Sequence, residues 1–372
     1  MTRSEESLRT AFSLLSVLQR YLRHALIATP ALELKISICD SIQDTAHALA
    51  AVSAYIRDRS SAAATLPQSL AETCRHVATR TSEAGAVQPL LACIDGISTV
   101  IQSFMPDLAA IVRRSLETTN RAYGLSHTAP RTVEPSDNPH HDGVVSDLPW
   151  PALPTVSARE QSQRPSIVTS LPHLPLLQQL HAQIFGIEVC AAEVCAAMAL
   201  RFPNLPWSLD LDLARQTYEE GRHARLLLAA FKRRRGDPLA YAPSQDIWLK
   251  VMAGRSLSEM LCIEQLLGEG HSLGSDLMAA DLHRKDGNSD LVEIHLSLHA
   301  DELTHVALGI TWFRRLAAGD GERLLLDLEP GYAVTPPPEP WFSAHLRREV
   351  GFTDTEIARQ QHRMATAARQ LH

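Results

Sequence analysis

Glu220-Gly221-Arg222-His223 and Glu302-Leu303-Thr304-His305 decide how this chain is read. Each places a glutamate three residues before a histidine, and each follows another acid, Glu219 or Asp301. Among 17 histidines only His223 and His305 have this neighbour. Both motifs lie inside long segments whose apolar residues recur at three and four, the helical period. A spacing of three puts the two side chains on one helical face, one turn apart, where they can offer one metal ion an oxygen and a nitrogen. Leu209, Leu213, Leu227 and Phe231 share the face of Glu220, and Leu291, Leu298, Phe313 and Leu316 share that of Glu302. Both glutamates therefore sit on apolar stripes. Buried carboxylates are costly unless paired, protonated or bound to metal, and metal is the simplest solution.

Outward from the motifs, residues 174–320 read as four long helices. The first runs to Phe202 and stops at Pro203-Asn204-Leu205-Pro206. The second runs from about Ser208 to Arg235 and ends at Gly236-Asp237-Pro238. The third starts near Ser244, kinks at Gly270 and Gly274, and reaches Arg284. The fourth follows the turn Asp286-Gly287-Asn288-Ser289 and runs from Asp290 to about Ala318. Breaks at proline and glycine set these bounds. A four-helix metal site needs one more glutamate from each of the two remaining helices. The first helix offers Glu188 and Glu193, and the third offers Glu259, Glu264 and Glu269. Level-matching across antiparallel hairpins favours Glu188 and Glu269. Glu220 lies 14 positions after Pro206 and Glu188 lies 14 before Phe202. Glu302 lies 12 after Asp290 and Glu269 lies 15 before Arg284. The separations Glu188–Glu220 and Glu269–Glu302 are 32 and 33, whereas Glu193 and Glu264 give 27 and 38. By apolar framing alone, Glu193 and Glu264 remain open.

The rest of the chain reads as an all-α appendage and connectors. Residues 6–28, 31–58, 67–80 and 87–123 carry the helical period and make an N-terminal helical module, 1–125. Residues 126–173 are a Pro-rich linker, with nine prolines between 126 and 175. After 320 come a Pro-rich loop over 329–341 and a last helix from the capping box Thr353-Asp354-Thr355-Glu356, which complete the segment 321–372. His140-His141 reads as a solvated pair in the linker. His299, one turn before Glu302, reads as a packed or solvated histidine with a supporting or ligating role as the alternative. His295 is two turns away and His271 points elsewhere. Asp44-Thr45-Ala46-His47 imitates the motif without a second copy, and it, Tyr218 and Trp312 read as structural.

A formal charge of −7 and the lack of a clustered basic face argue against nucleic acid or a membrane surface as partner. Lys232-Arg233-Arg234-Arg235 reads as a solvated helix end. No apolar stretch is read as reaching the ~20 residues of a membrane span, and the polar N-terminus does not read as a signal peptide. Six cysteines without a CxxC pair suit a reduced, cytoplasmic protein.

At these residues the chain resembles a known family. Ile187-Glu188 through Glu193, Arg201-Phe202-Pro203, Glu219 through His223, Glu269 through Leu273, Asp301 through Gly309 and Pro340 through Phe352 look like the ferritin-like di-iron carboxylate superfamily. The likeness is closest to a bacterial ferritin-like domain family of unassigned function and covers about residues 174–355. Gly221 stands where that family usually has alanine, and Gly268-Glu269-Gly270-His271 replaces a more helix-favouring stretch. The resemblance implies a ferritin-like four-helix bundle holding two Fe ions, or a Mn/Fe pair. Glu220 and Glu302 would bridge them, His223 and His305 would each cap one, and Glu188 and Glu269 would be terminal ligands. It implies an O2-activating oxygenase or oxidase acting on a small or carrier-bound organic substrate by hydroxylation, desaturation or amine N-oxygenation. The absence of a nucleotide fingerprint then calls for an electron-donor reductase, and a homodimer is compatible. The alternative on the same scaffold is metal binding for iron handling or peroxide detoxification. A third alternative is a helical interaction module in which both motifs are structural.

Overall fold

The computed structural model describes residues 32–57, 175–202 and 205–370, together with positions 12, 15, 16, 18–20 and 22–27. The expected helices over 67–80 and 87–123 and the linker 126–173, with His140-His141, lie outside the described residues. Every regular element among the described residues is helical, as the periodicity predicts, and the chain is an all-α bundle. The described residues fall into two compact units: those before 162 with 195–221, and 162–194 with 222–372. Two helices run through both, α2 (Leu176–Arg201) and α3 (Trp207–Arg233).

In the first unit, α1 (Leu32–Arg57) buries Leu32, Ile36, Cys39, Ile42, Ala46 and Leu49, a stripe spaced by threes and fours. Cys39 rests against α3 at Gly221, where an added Cβ would lie 2.5 Å from the Cys39 Cβ. The helical residues before α1 hold the start of α3. Arg23 Nη1 donates to Asp210 Oδ1 at 2.6 Å, and the rings of Phe12 and Trp207 lie 5.7 Å apart. His47 of the Asp44–His47 motif is exposed and bonds Gln43 at 3.0 Å, in keeping with a structural reading.

The second unit holds the remaining rods. α4 is Asp246–Met252. α5 spans 257–272: a first turn, Leu257–Leu261, a π-helical segment, Cys262–Glu269, and a closing turn, Gly270–Ser272. α6 is Ser275–Lys285 and α7 is Ser289–Ala317. α8 (Gly321–Tyr332), α9 (Ala344–Glu349) and α10 (Asp354–Gln370) follow. Three differences from the sequence reading stand out. The third block is three helices, not one kinked rod, because Ser256 caps a new start and Gly274 adopts φ 100°. The expected loop over 329–341 begins later, since Pro330 is accommodated inside the last turn of α8. Arg233 and Arg234 are not simply solvated: both pair with Asp290 in the first turn of α7, at 2.8 and 2.7 Å. The Asp290 carboxyl is held well below its usual range, chiefly by the Arg234 hydrogen bond. The capping box at Thr353 forms in full. Thr353 Oγ1 accepts from the Glu356 amide at 3.2 Å, and Glu356 Oε2 accepts from the Thr353 amide at 2.7 Å.

α2 corrects a further expectation. By length and composition it is apolar enough to cross a membrane, because from Ile184 to Leu200 only Glu188 and Glu193 interrupt a run rich in Ala, Val, Cys and Ile. Yet 78% of its most apolar window is buried inside the protein, as for a core helix. A second π-helical segment, Gln183–Glu188, lies within it.

Candidate metal centre

The two Glu-x-x-His motifs sit in the middle of α3 and α7, the two longest helices among the described residues. Their apolar companions are buried as the stripes require: Leu209, Leu213, Leu227, Phe231, Leu291, Leu298 and Phe313 are each 2% exposed or less, with Leu316 half-buried. That packing carries Glu220 and His223, and Glu302 and His305, to the interior. Glu220 is 1% exposed and both histidines are fully buried.

Two groups of four potential ligands result. Glu188, Glu220, His223 and Glu302 bring one donor atom each within 4.8 Å of one another, and so do Glu220, Glu269, Glu302 and His305. Glu220 and Glu302 belong to both groups. The arrangement has the pattern of two adjacent cation positions sharing two carboxylates, each position completed by one further glutamate and one imidazole. The His223 and His305 rings are 5.9 Å apart. His223 Nδ1 lies 3.3 Å from Glu188 Oε2 and 3.6 Å from Glu302 Oε1, and His305 Nδ1 lies 3.5 Å from Glu302 Oε2. Both imidazoles thus turn Nδ1 toward the carboxylates.

Support for these groups comes from residues the motif alone does not assign. His223 Nε2 donates to Asp301 Oδ2 at 2.8 Å, which fixes the tautomer and leaves the Nδ1 lone pair facing the cluster. Asp301 in turn is paired with Arg222. The acid before the other motif does something different: Glu219 accepts from Arg215 Nε at 2.9 Å. Gln183 Nε2 donates to Glu188 Oε1 at 3.0 Å, orienting that carboxylate from the start of the π segment.

The two π segments each end at a glutamate of the cluster, Glu188 in α2 and Glu269 in α5. A π turn inserts a residue into the helical register and re-aims the side chains beyond it, and such segments are frequent at functional sites. The glutamates five residues away are buried but fall in neither group: Glu193 is 1% exposed and Glu264 is 4% exposed. Glu259 is occupied elsewhere, closing the cap of α5 by accepting from the Arg255 amide at 2.7 Å and from its guanidinium at 2.9 Å. Its carboxyl is pulled below the usual range by that side-chain hydrogen bond.

The remaining histidines form separate contacts. His271 Nδ1 donates to the Val334 carbonyl at 3.1 Å, and burial pushes its pKa down to about 4. His295 Nδ1 meets Asp276 Oδ1 at 2.8 Å and stacks on His283, with centroids 5.2 Å apart. His299 is half-buried, in neither ligand group, and its pKa is lowered by burial. Trp312 is buried with the Arg315 guanidinium 4.8 Å from its ring, and Tyr218 is half-buried.

The donor set fits a pair of divalent cations. Four carboxylates carry −4, which two M2+ ions neutralise, and one imidazole per ion with hard oxygens suits iron or manganese over softer metals. Without cations, four carboxylates so close and so largely buried would repel one another in a poorly hydrated site. The buried floor is Glu188, Glu220 and the two histidines. Glu269 and Glu302 are the two half-buried members of the cluster.

Residues 113–358, about two thirds of the chain, match the family described as Protein of unknown function (DUF455). The chain belongs to that family. The match spans every residue of both ligand groups and the segment through α9 into α10. No curated protein and no solved structure matches the chain.

Proposed function

We propose that this protein is a non-haem dinuclear iron oxidoreductase that uses O2 to oxidise a small or carrier-bound organic substrate. One observation carries the reading: two four-residue ligand groups sharing Glu220 and Glu302. Two iron ions, or manganese with iron, would supply the one-electron steps toward O2 that no side chain provides. Glu188 and His223 would hold one ion, Glu269 and His305 the other, with Glu220 and Glu302 common to both. The six side chains leave room in two coordination spheres for exogenous ligands.

The chain's own part is positioning and exclusion of water. Asp301 holds the His223 ring and its tautomer, and Gln183 holds Glu188. The buried floor keeps bulk water from four of the six donors, which strengthens their interaction with any cation. Hydroxylation, desaturation and amine N-oxygenation are all compatible with this donor set, with electrons from a separate reductase or from the substrate.

Metal analysis of the purified full chain, with O2 uptake after anaerobic loading with Fe(II), tests the proposal. About two irons per chain and O2 consumption that stops with the double variant Glu220→Ala, His305→Ala is the expected result. Many irons per chain would favour iron handling. Full metal content in the double variant would overturn the site.

A further inference from the structure

Glu269 stands near the end of its helix. It ends a π segment, is followed by Gly270, and its rod stops three residues later at Ser272. An isolated turn of that composition would fray. The chain after α8 holds it in place. The Val334 amide donates to the Leu267 carbonyl at 3.0 Å, and the Val334 carbonyl accepts from His271 Nδ1 at 3.1 Å, so one residue brackets Glu269 on both sides. The Phe352 ring packs on Gly270 so closely that an added Cβ would lie 2.5 Å from Cζ. Trp341 Nε1 donates to Asp281 Oδ2 at 2.8 Å, and the Trp341 carbonyl covers Gly274.

At the centre lies Arg347, which is 0% exposed. Its Nη2 donates to the carbonyls of His271 and Leu273, at 3.1 and 2.9 Å, one in the last turn of the Glu269 rod and one on the first residue beyond it. Its Nε donates to Gln360 Oε1 at 2.6 Å, and its guanidinium lies 3.9 Å from the centre of the Phe342 ring. A fully buried guanidinium is expensive to desolvate, and here its hydrogen bonds go to neutral oxygens, with a π face beside it and the Glu339 charge acting in its favour. Its bonds to the end of the α5 rod are what that placement yields.

We infer that the segment from Val334 to Gln360, anchored by Arg347, is a clamp that holds Glu269 in position for one of the two cation positions. Arg347 is thus a positioning residue for the group Glu220, Glu269, Glu302 and His305. Among the described residues, none of that segment is seen on Glu188 of the other group, which accepts from Gln183 on its own helix. The inference rests on the dinuclear reading, and it predicts that the two positions fail separately.

The test is anaerobic Mn(II) binding to the full chain, followed by metal analysis and electron paramagnetic resonance. Two variants are used: Arg347→Met, which keeps the aliphatic stem and removes the donors, and Phe352→Leu, which loosens the Gly270 contact. The wild type should bind two Mn(II) as a spin-coupled pair. Each variant should retain one Mn(II) with near-native affinity and lose at least about tenfold in affinity for the second, as for other residues behind a metal ligand. The resonance signal should change from that of a coupled pair to that of an isolated Mn(II). Arg347→Lys should recover part of the second site. A folded Phe352→Leu variant with both affinities unchanged would overturn the clamp, as would equal loss of both ions in folded variants. A wild type that binds no metal would instead refute the dinuclear reading itself.

Discussion

Gly221 lies between Glu220 and His223, where alanine would be the better helix former by about 1 kcal/mol. The reason for glycine is the neighbouring helix. A Cβ at 221 would stand 2.5 Å from the Cys39 Cβ and 2.9 Å from its Sγ. Apolar heavy atoms rest about 3.5–4.0 Å apart, so the overlap is roughly 1 Å. The Cys39 Cβ is fixed to the α1 backbone, and no rotamer moves it. Gly221→Ala must therefore shift α1 or bend α3, an overpacking strain of about 1–3 kcal/mol. Set against the propensity gain, the net effect runs from near zero to a loss of about 2 kcal/mol.

The sign is cleaner in a double-mutant cycle with Cys39→Gly, which removes both clashing atoms. In that background Gly221→Ala should stabilise by about 1 kcal/mol, and the coupling energy should equal the strain, about 1–3 kcal/mol. Urea unfolding of metal-free protein, followed by far-ultraviolet circular dichroism, measures all four corners. With slopes of about 1–3 kcal/mol/M each kcal/mol moves the midpoint by roughly 0.3–1 M. Because Glu220 belongs to both ligand groups, the Gly221→Ala protein should also bind both Mn(II) ions more weakly, unlike Arg347→Met. Additive effects, with coupling below about 0.5 kcal/mol, would refute the close approach of α1 to α3.

The geometry leads to three further outcomes. Asp301→Leu removes the partner of His223 Nε2 and should weaken binding at the Glu188 position by about 10–100-fold in a metal titration, with Asp301→Asn intermediate because an acceptor oxygen remains. Glu193→Gln and Glu264→Gln, tested by the same titration, should leave two ions bound, since neither residue belongs to a ligand group. Burial lowers the pKa of His283 from its ordinary 6.5, with His295 beside it as a second cause, and burial lowers His299 too. The unfolded chain therefore takes up protons that the fold resists, and this part of the stability is complete above about pH 6.5 and is lost as the pH falls below it toward the depressed folded values. Replacing His283 by Phe should flatten the stability profile between pH 7 and 5 in urea titrations.

Most of the helix bounds were legible because proline and glycine punctuate them. The first rod of the bundle ends within two residues of Pro203, the second ends three before Gly236, and the fourth starts at the close of the turn from Asp286. The third was not legible, because Arg255-Ser256 reads as ordinary helical text until the Ser256 and Glu259 side chains turn back on the backbone to cap α5. The role of α1 was also hidden: the sequence marks Gly221 as a departure, but only the neighbour Cys39 supplies its cause.

The choice among glutamates is the more instructive case. Counting residues from the loops favours Glu188 and Glu269 over Glu193 and Glu264, yet that count assumes the regular α rise of 1.5 Å per residue. Both rods break the assumption, with π segments at Gln183–Glu188 and Cys262–Glu269. Apolar framing fails for the same reason: Glu264 looks better placed than Glu269 only if the helix keeps a period of 3.6 through the segment. Glu188 and Glu269 both fall in the candidate ligand groups, and the irregularity occurs in both rods and ends at that glutamate in each, so the separations 32 and 33 remain comparable. A π turn has no composition of its own. What the sequence does show is its consequence, glycine on both sides of Glu269, where Gly268 lies against the Ile263 carbonyl and Gly270 against Gln265 and Phe352. At Gly270 a Cβ would stand 2.5 Å from Phe352 Cζ and 2.9 Å from the Gln265 carbonyl, so only glycine fits, whereas at Gly268 the single close contact, 3.2 Å to the Ile263 carbonyl, is tight without being prohibitive.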